Sequence, residues 1–198
     1  MRILVGTGLA CCLATPLAAQ ATVRLGVGAT IGTSIVHDQV IVGRDIAVRP
    51  GVAPSLAVGV SYPTGGGYRV SLEGRVDHAS MQYTELNTTA DLGPYTTMSV
   101  VALVGGPVAH DVRWQIGGGR IGYHPAERRG IFSEGGSSFW MFAAGVSWSH
   151  PVGRGLSVLA SARYDLHQFI TPALRARDFQ QSEAVSRLGL FAGVEHTL

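Results

Sequence analysis

The sequence contains no lysine; all 15 basic residues are arginine, set against 13 acids, for a formal net charge of +2. Charged residues make up only 14% of the chain. So weak a positive balance gives no electrostatic footprint for nucleic acid. Cysteine is nearly absent too. Cys11 and Cys12 are the only two, and both fall in a segment that reads as a leader. Disulfides, cysteine–metal sites and thiol nucleophiles are therefore not expected in the remainder. Long unbroken apolar runs are also missing. Leu92 to His110 and Gly135 to Gly153 are uncharged, but both contain proline and several glycines, and both alternate in polarity. Helical membrane spans are excluded on that pattern.

What is present is hydrophobicity (46% of residues) and glycine (27 residues), with a mean hydropathy of +0.23. That much apolar content excludes a disordered chain, and the glycines follow no collagen period. Residues 1–21 carry one basic residue, Arg2, then a short apolar stretch from Ile3 to Leu13, and close on Ala19-Gln20-Ala21. This is the pattern of a secretory signal peptide cleaved after Ala21. The remainder, 22–198, is expected to be one domain, with none following it.

That remainder alternates with period two, the signature of strands. Val23, Leu25, Val27, Ala29 and Ile31 alternate with Arg24, Gly26, Gly28 and Thr30. Leu56, Val58, Val60 and Tyr62 alternate with Ser55, Ala57, Gly59 and Ser61. Tyr68, Val70, Leu72 and Val76 oppose Arg69, Ser71, Glu73, Arg75 and Asp77. Similar runs at Tyr95 to Gly105, Val112 to Tyr123, Phe139 to Ser149, Leu156 to Ile170 and Arg187 to Leu198 bring the total to about eight strands. The fifth of these eight runs loses phase at Gly117-Gly118-Gly119, where a β-bulge is expected. Connections alternate in length. Short ones fall near 63–67, 106–111 and 150–155, and long ones near 33–53, 85–94, 124–138 and 171–186. An outer-membrane barrel has short turns at one end and long loops at the other.

The polar phase decides which solvent the oily phase meets. It is built of small residues plus arginines and acids, with no lysine, which suits a narrow interior rather than a watered surface. Arg24, Arg69, Glu73, Arg75, Asp77, Arg113, Arg163, Asp165, Arg187 and Glu195 all lie on it, and form an expected charge network filling the lumen. Tyr62, Tyr68, Trp114 and Trp148 fall on the oily phase near the short turns, and Trp140 and Tyr95 near the long-loop end. Amphipathic rings at those two depths make an expected aromatic belt. The fold class is thus all-β, a closed up-and-down antiparallel transmembrane β-barrel. A lipocalin-like soluble barrel with the two faces exchanged is the alternative.

The whole pattern from Thr22 to Leu198 resembles the small eight-stranded outer-membrane barrels, the group of the OmpA transmembrane domain and OmpX. The final strand, Arg187-Leu188-Gly189-Leu190-Phe191-Ala192-Gly193-Val194-Glu195-His196-Thr197-Leu198, is its most specific part; it ends in Leu where the family usually ends in an aromatic. The resemblance implies an outer-membrane location, contact with membrane lipid and lipopolysaccharide, and recognition of that last strand by the barrel-assembly machinery. It also implies a monomer with no cofactor, acting as a structural or surface-interaction protein through its long loops. Arg175, Arg177, Asp178 and Glu183 in one loop and His37-Asp38 in another are the candidate contacts.

Catalytic and metal chemistry find little support. Asp165-x-His167 places a carboxylate and an imidazole on one strand face, as a hydrolase or a lipid-modifying barrel enzyme would need. Pairing of Asp165 with Arg163 or another arginine is the competing expectation. His37, His78, His110, His124, His150, His167 and His196 show no metal-ligand spacing.

Overall fold

The structure is a computed structural model and describes residues 20–41, 44–85, 88–128, 130–176 and 183–198. Residues 1–19, which carry nearly all of the leader segment, lie outside them. Among the described residues there are ten strands: β1 (Thr22–Gly32), β2 (Val36–Ile41), β3 (Arg44–Pro50), β4 (Ala53–Gly65), β5 (Tyr68–Glu85), β6 (Thr88–Pro107), β7 (Val112–Pro125), β8 (Ser137–Gly153), β9 (Leu156–Phe169) and β10 (Glu183–Thr197). Eight of them close a ring in the order β1-β10-β9-β8-β7-β6-β5-β4, all antiparallel. The seam between first and last strands is complete, running from Thr22↔Thr197 to Gly32↔Arg187. Closure leaves this ring without an edge strand.

β2 and β3 form a hairpin above the ring; β3 continues the line of β4 along the upper half of β5, with Ile46↔Glu85 to Pro50↔Met81 in register. The stretch 33–53 is therefore largely hairpin rather than loop. The expected loop at 85–94 is also mostly strand, since β5 and β6 pair as far as Glu85↔Thr88. Long strands projecting beyond the ring replace irregular loops; in the first segment Val36, Val40, Ile41, Ile46 and Val48 continue the β-branched run. At the opposite end the turns are tight. Gly65, Gly66 and Gly67 take φ of 96°, 60° and 82°, values that a side chain would oppose.

The period-two reading places side chains correctly on most strands. Val70, Leu72 and Leu190 are 44%, 52% and 58% exposed on the outside, whereas Arg75, Asp77, Arg163 and Asp165 are 5% exposed or less. Apolar atoms coat the ring's exterior, and the interior carries charge. Along β1 the outward apolar run from Val23 to Ile31 spans nine residues, within the 9–11 or so that a tilted transmembrane strand needs.

Three further expectations fail. No bulge interrupts β7: Gly117, Gly118 and Gly119 stay in register with Leu103, Ala102 and Val101 on one side and with Ala143, Phe142 and Met141 on the other. The glycines serve close approach instead. A Cβ on Gly117 would lie 1.9 Å from the carbonyl oxygen of Ala102. With phase kept, Ile121 and Tyr123 point inward and Arg120 outward. Tyr95, expected outside, is inside and only 6% exposed. The interior is also not polar throughout, because it holds an apolar cluster including Met81, Val101, Leu103, Ile121, Met141 and Val185.

Candidate functional site: the barrel interior

Strands from opposite sides of the ring bring alternating charges together across the barrel's waist. β1 supplies Arg24; β5 supplies Glu73, Arg75 and Asp77; β9 supplies Arg163 and Asp165; β10 supplies Arg187. They link into one chain: Arg24–Glu73–Arg163–Asp165–Arg75–Asp77–Arg187. Arg163 Nε donates to Asp165 Oδ1 at 2.8 Å, and Arg75 reaches the other oxygen of Asp165. Asp77 also accepts from Thr97 Oγ1 at 2.8 Å and Thr30 Oγ1 at 3.1 Å. Charge-assisted bonds of this kind are the strong ones, and an ionised carboxylate in so dry a place needs several of them.

The interior-facing glycines make room for these long side chains. A Cβ on Gly189 would lie 2.6 Å from the Phe191 ring and 2.8 Å from Arg75 Nη1, and one on Gly59 would press on Arg24. Arg75 lies over the Phe191 ring at 5.6 Å, a cation–π contact within the lumen. The cavity left beside Arg24, Glu73 and Arg163 measures about 20 Å³.

The other expected network members sit lower, toward the short turns, and are held apart from this chain. Arg69 donates to Thr22 Oγ1 at 3.5 Å, Arg113 to the Gly67 carbonyl at 2.7 Å, and Glu195 accepts from Ser149. The turn at that end carries a small polar cluster of its own. Asp111 accepts from His110 Nδ1 at 2.6 Å and His150 Nδ1 at 2.9 Å, which holds its carboxyl below the ordinary aspartate range. Among the described residues no group of His, Cys, Asp and Glu is arranged to hold a metal ion.

Above the waist, aromatic rings fill the barrel. Tyr123 stacks on Tyr95 with centroids 6.0 Å apart and meets Phe169 edge-on at 5.1 Å. Its hydroxyl is 2.8 Å from Nε2 of His167. Phe132 enters from a 3-10 turn (Gly130–Phe132) and packs on both Tyr123 and Phe169. Beside it sits a one-turn helix, α1 (Pro172–Arg175), capped by Thr171. The Thr171 hydroxyl accepts from the Leu174 N–H and donates to the Ile131 carbonyl at 2.7 Å, tying two loops together over the mouth. Holding the phase of Arg113 through the glycines of β7 would have revealed Tyr123. Nothing local in the sequence marks Phe132, which arrives from a loop.

Asp165 and His167 do not form a catalytic pair here. Asp165 is occupied by two guanidiniums, and His167 is bonded to Tyr123.

On the outside, Tyr62, Tyr68 and Trp148 are exposed near the short-turn end. Trp114 is half-buried there against Tyr68, edge-on at 6.3 Å. At the far end Trp140 is 74% exposed, and Arg120 lies over its ring at 5.2 Å. Of the loop candidates, Arg175 is exposed on α1; Arg177 and Asp178 lie outside the described residues, as do the side chains of His37, Asp38 and Glu183.

No protein-family model matches the chain, and no curated protein matches it in sequence. Solved structures match it in fold. The outer membrane protein AlkL, determined in lipid bilayers by solid-state NMR, superposes with a TM-score of 0.60 at 14% identity, over 91% of this chain and 90% of that one. OprG of Pseudomonas aeruginosa gives 0.56 at 11% identity, over 91% and 96%. Neisserial surface protein A gives 0.53 at 13% identity, over 90% and 97%. At such identities the shared property is the fold: the chain has the architecture of the small eight-stranded outer-membrane barrels.

Proposed function

We propose that the chain is an integral outer-membrane barrel that works as a closed strut, not a conduit, and presents its projecting end to the exterior. The observation that carries this is the double obstruction of the interior. An ion-pair chain spans the waist, and a cluster of aromatic rings fills the space above it. Eight strands leave a lumen just wide enough for side chains, and here large ones occupy it at two levels.

The membrane setting rests on the exterior. Soluble monomers rarely expose apolar patches beyond a few hundred Å², whereas this ring is apolar on its outside strand after strand. In lipid the same surface costs nothing, and the aromatics at the two ends lie at headgroup level. Residues 1–21 act as the export signal, and β10 is the segment read by the assembly machinery. Outer-membrane lipid and lipopolysaccharide surround the barrel, which functions as a monomer. The hairpin β2–β3, the extension of β5–β6 and α1 form the surface-interaction end. An envelope enzyme built on Asp165 and His167 is disfavoured, since both side chains are already engaged within the wall of the lumen.

Planar-bilayer recording of the refolded chain tests the reading. The expected result is no steady conductance, with brief small events at most. Stable ohmic openings would overturn it. Surface labelling of a tag placed in 177–182 on intact cells should succeed, and a tag in the Val108–Asp111 turn should stay protected.

A further inference from the structure

The ring's exterior breaks its apolar rule at one place. Because β7 keeps its phase through three glycines, Arg120 falls outward with Trp114 and is exposed. From the Trp148 level up to the Thr96↔His124 pair, it is the only Arg, Asp or Glu on the lipid-facing phase of the described ring strands. Its register partners are Val100 on β6 and Trp140 on β8. Above Met141↔His167, β8 parts from β9 and stays with β7 alone, which carries Ser138 and Trp140 alongside this arginine.

Two residues higher, three polar groups converge on the pair Gly122↔Ser138. Arg120 Nη2 donates to Ser138 Oγ at 2.8 Å. His124 folds back along its own strand, so that a Cβ on Gly122 would lie 3.0 Å from its Nε2. Gly122 thus floors a shallow outward notch, with a guanidinium below, an imidazole above and a hydroxyl beside it. Neither Arg120 nor His124 has a carboxylate partner among the described residues, and His124 makes no hydrogen bond there. A guanidinium on the lipid face is costly unless it reaches the headgroups or meets an anion. Trp140, under Arg120, marks headgroup depth.

We propose that this notch on the outside of β7 and β8 holds one phosphate monoester of the outer-leaflet glycolipid. The inference rests on the outer-membrane reading above and assigns the place of one specific lipid contact. Arg120 donates to the phosphate through the nitrogens that Ser138 does not occupy, and His124 donates from Nε2. A carboxylate would answer the guanidinium alone. A phosphate monoester brings three acceptor oxygens and close to two charges, which suits a guanidinium and an imidazole together.

The test uses the full chain folded in zwitterionic detergent micelles, with Trp114→Phe and Trp148→Phe introduced so that only Trp140 reports. Bisphosphorylated lipid A is titrated against its fully dephosphorylated form. A saturable change in Trp140 emission with one-to-one stoichiometry is expected for the phosphorylated lipid, as the guanidinium is drawn from the ring. Arg120→Gln should weaken that binding about tenfold, the size expected for one charge-assisted bond, and leave the dephosphorylated lipid unaffected. Native mass spectrometry counts the bound lipid in this variant independently of the Trp140 signal. Arg154→Gln, the same loss of charge at the opposite end of the barrel, should change nothing. Equal binding of the two lipids, or equal weakening by Arg120→Gln and Arg154→Gln, would overturn the proposal. Unboiled gel mobility in phosphatidylcholine vesicles separates the two readings. A chain that never inserts overturns the membrane assignment and the site with it, whereas one that inserts but does not distinguish the lipids overturns the site alone.

Discussion

Asp165 accepts from both Arg75 and Arg163, so Asp165→Asn leaves four arginines in the waist facing two carboxylates, Glu73 and Asp77. Asp165 is fully buried, and Arg75 and Arg163 are 1% and 5% exposed, so bulk water cannot replace the lost acceptor. Removing one partner of a buried ion pair costs about 3–5 kcal/mol, chiefly through the charge left behind. With a urea slope of about 2 kcal/mol per M, the unfolding midpoint in lipid vesicles falls by roughly 1.5–2.5 M. Tryptophan fluorescence and unboiled gel mobility report the transition independently. Arg120→Met is the control. It removes an exposed cation–π contact worth about 0.5–1 kcal/mol and should move the midpoint little. Asp165→Leu combined with Arg163→Leu removes one charge of each sign and should recover at least half of the loss, since apolar replacement of a buried pair is often neutral. If Asp165→Asn shifts the midpoint no more than Arg120→Met does, the ion-pair chain does not hold the waist together.

Other outcomes follow from the same geometry. Leu190→Arg places a guanidinium on the lipid face of β10 and should cost roughly 2–4 kcal/mol of folded stability in vesicles. Gly117→Ala drives a Cβ into the Ala102 carbonyl, whereas at Gly118 the nearest atom is 3.2 Å away. The first should destabilise by about 1–3 kcal/mol and the second by less, compared by urea midpoint. Asp111 has its pKa depressed by His150 and His110, so its contribution is present above the unfolded aspartate value and lost as pH falls through the lower folded one. NMR titration of the Asp111 carboxyl should give a midpoint below that of a free aspartate, and His150→Gln should raise it.

Inward and outward positions were legible wherever one strand carried both small polar and large apolar residues, as in β1, β4, β5, β9 and β10. A strand has only two faces, so one misplaced arginine would reverse the assignment for all its neighbours. β7 was misread for the same reason in reverse. Three glycines carry no face information, and the apparent loss of phase after them is the interior itself changing from charged to apolar at Ile121 and Tyr123. Tyr95 turned inward with them, because a buried ring cluster offers it Tyr123 and the waist arginines below cannot fill that space.

By itself, then, the chain's alternation determined a closed antiparallel β-barrel with an oily exterior. Those follow from local stereochemistry and from the cost of placing charge in hydrocarbon. Only the tertiary structure decided which charges meet, that rings from a 3-10 turn and three strands plug the upper half, and that β8 and β9 part above His167. Each of these depends on residues far apart in sequence arriving at one depth of the barrel. Strand register and shear set that depth, and no periodicity within a single strand encodes it.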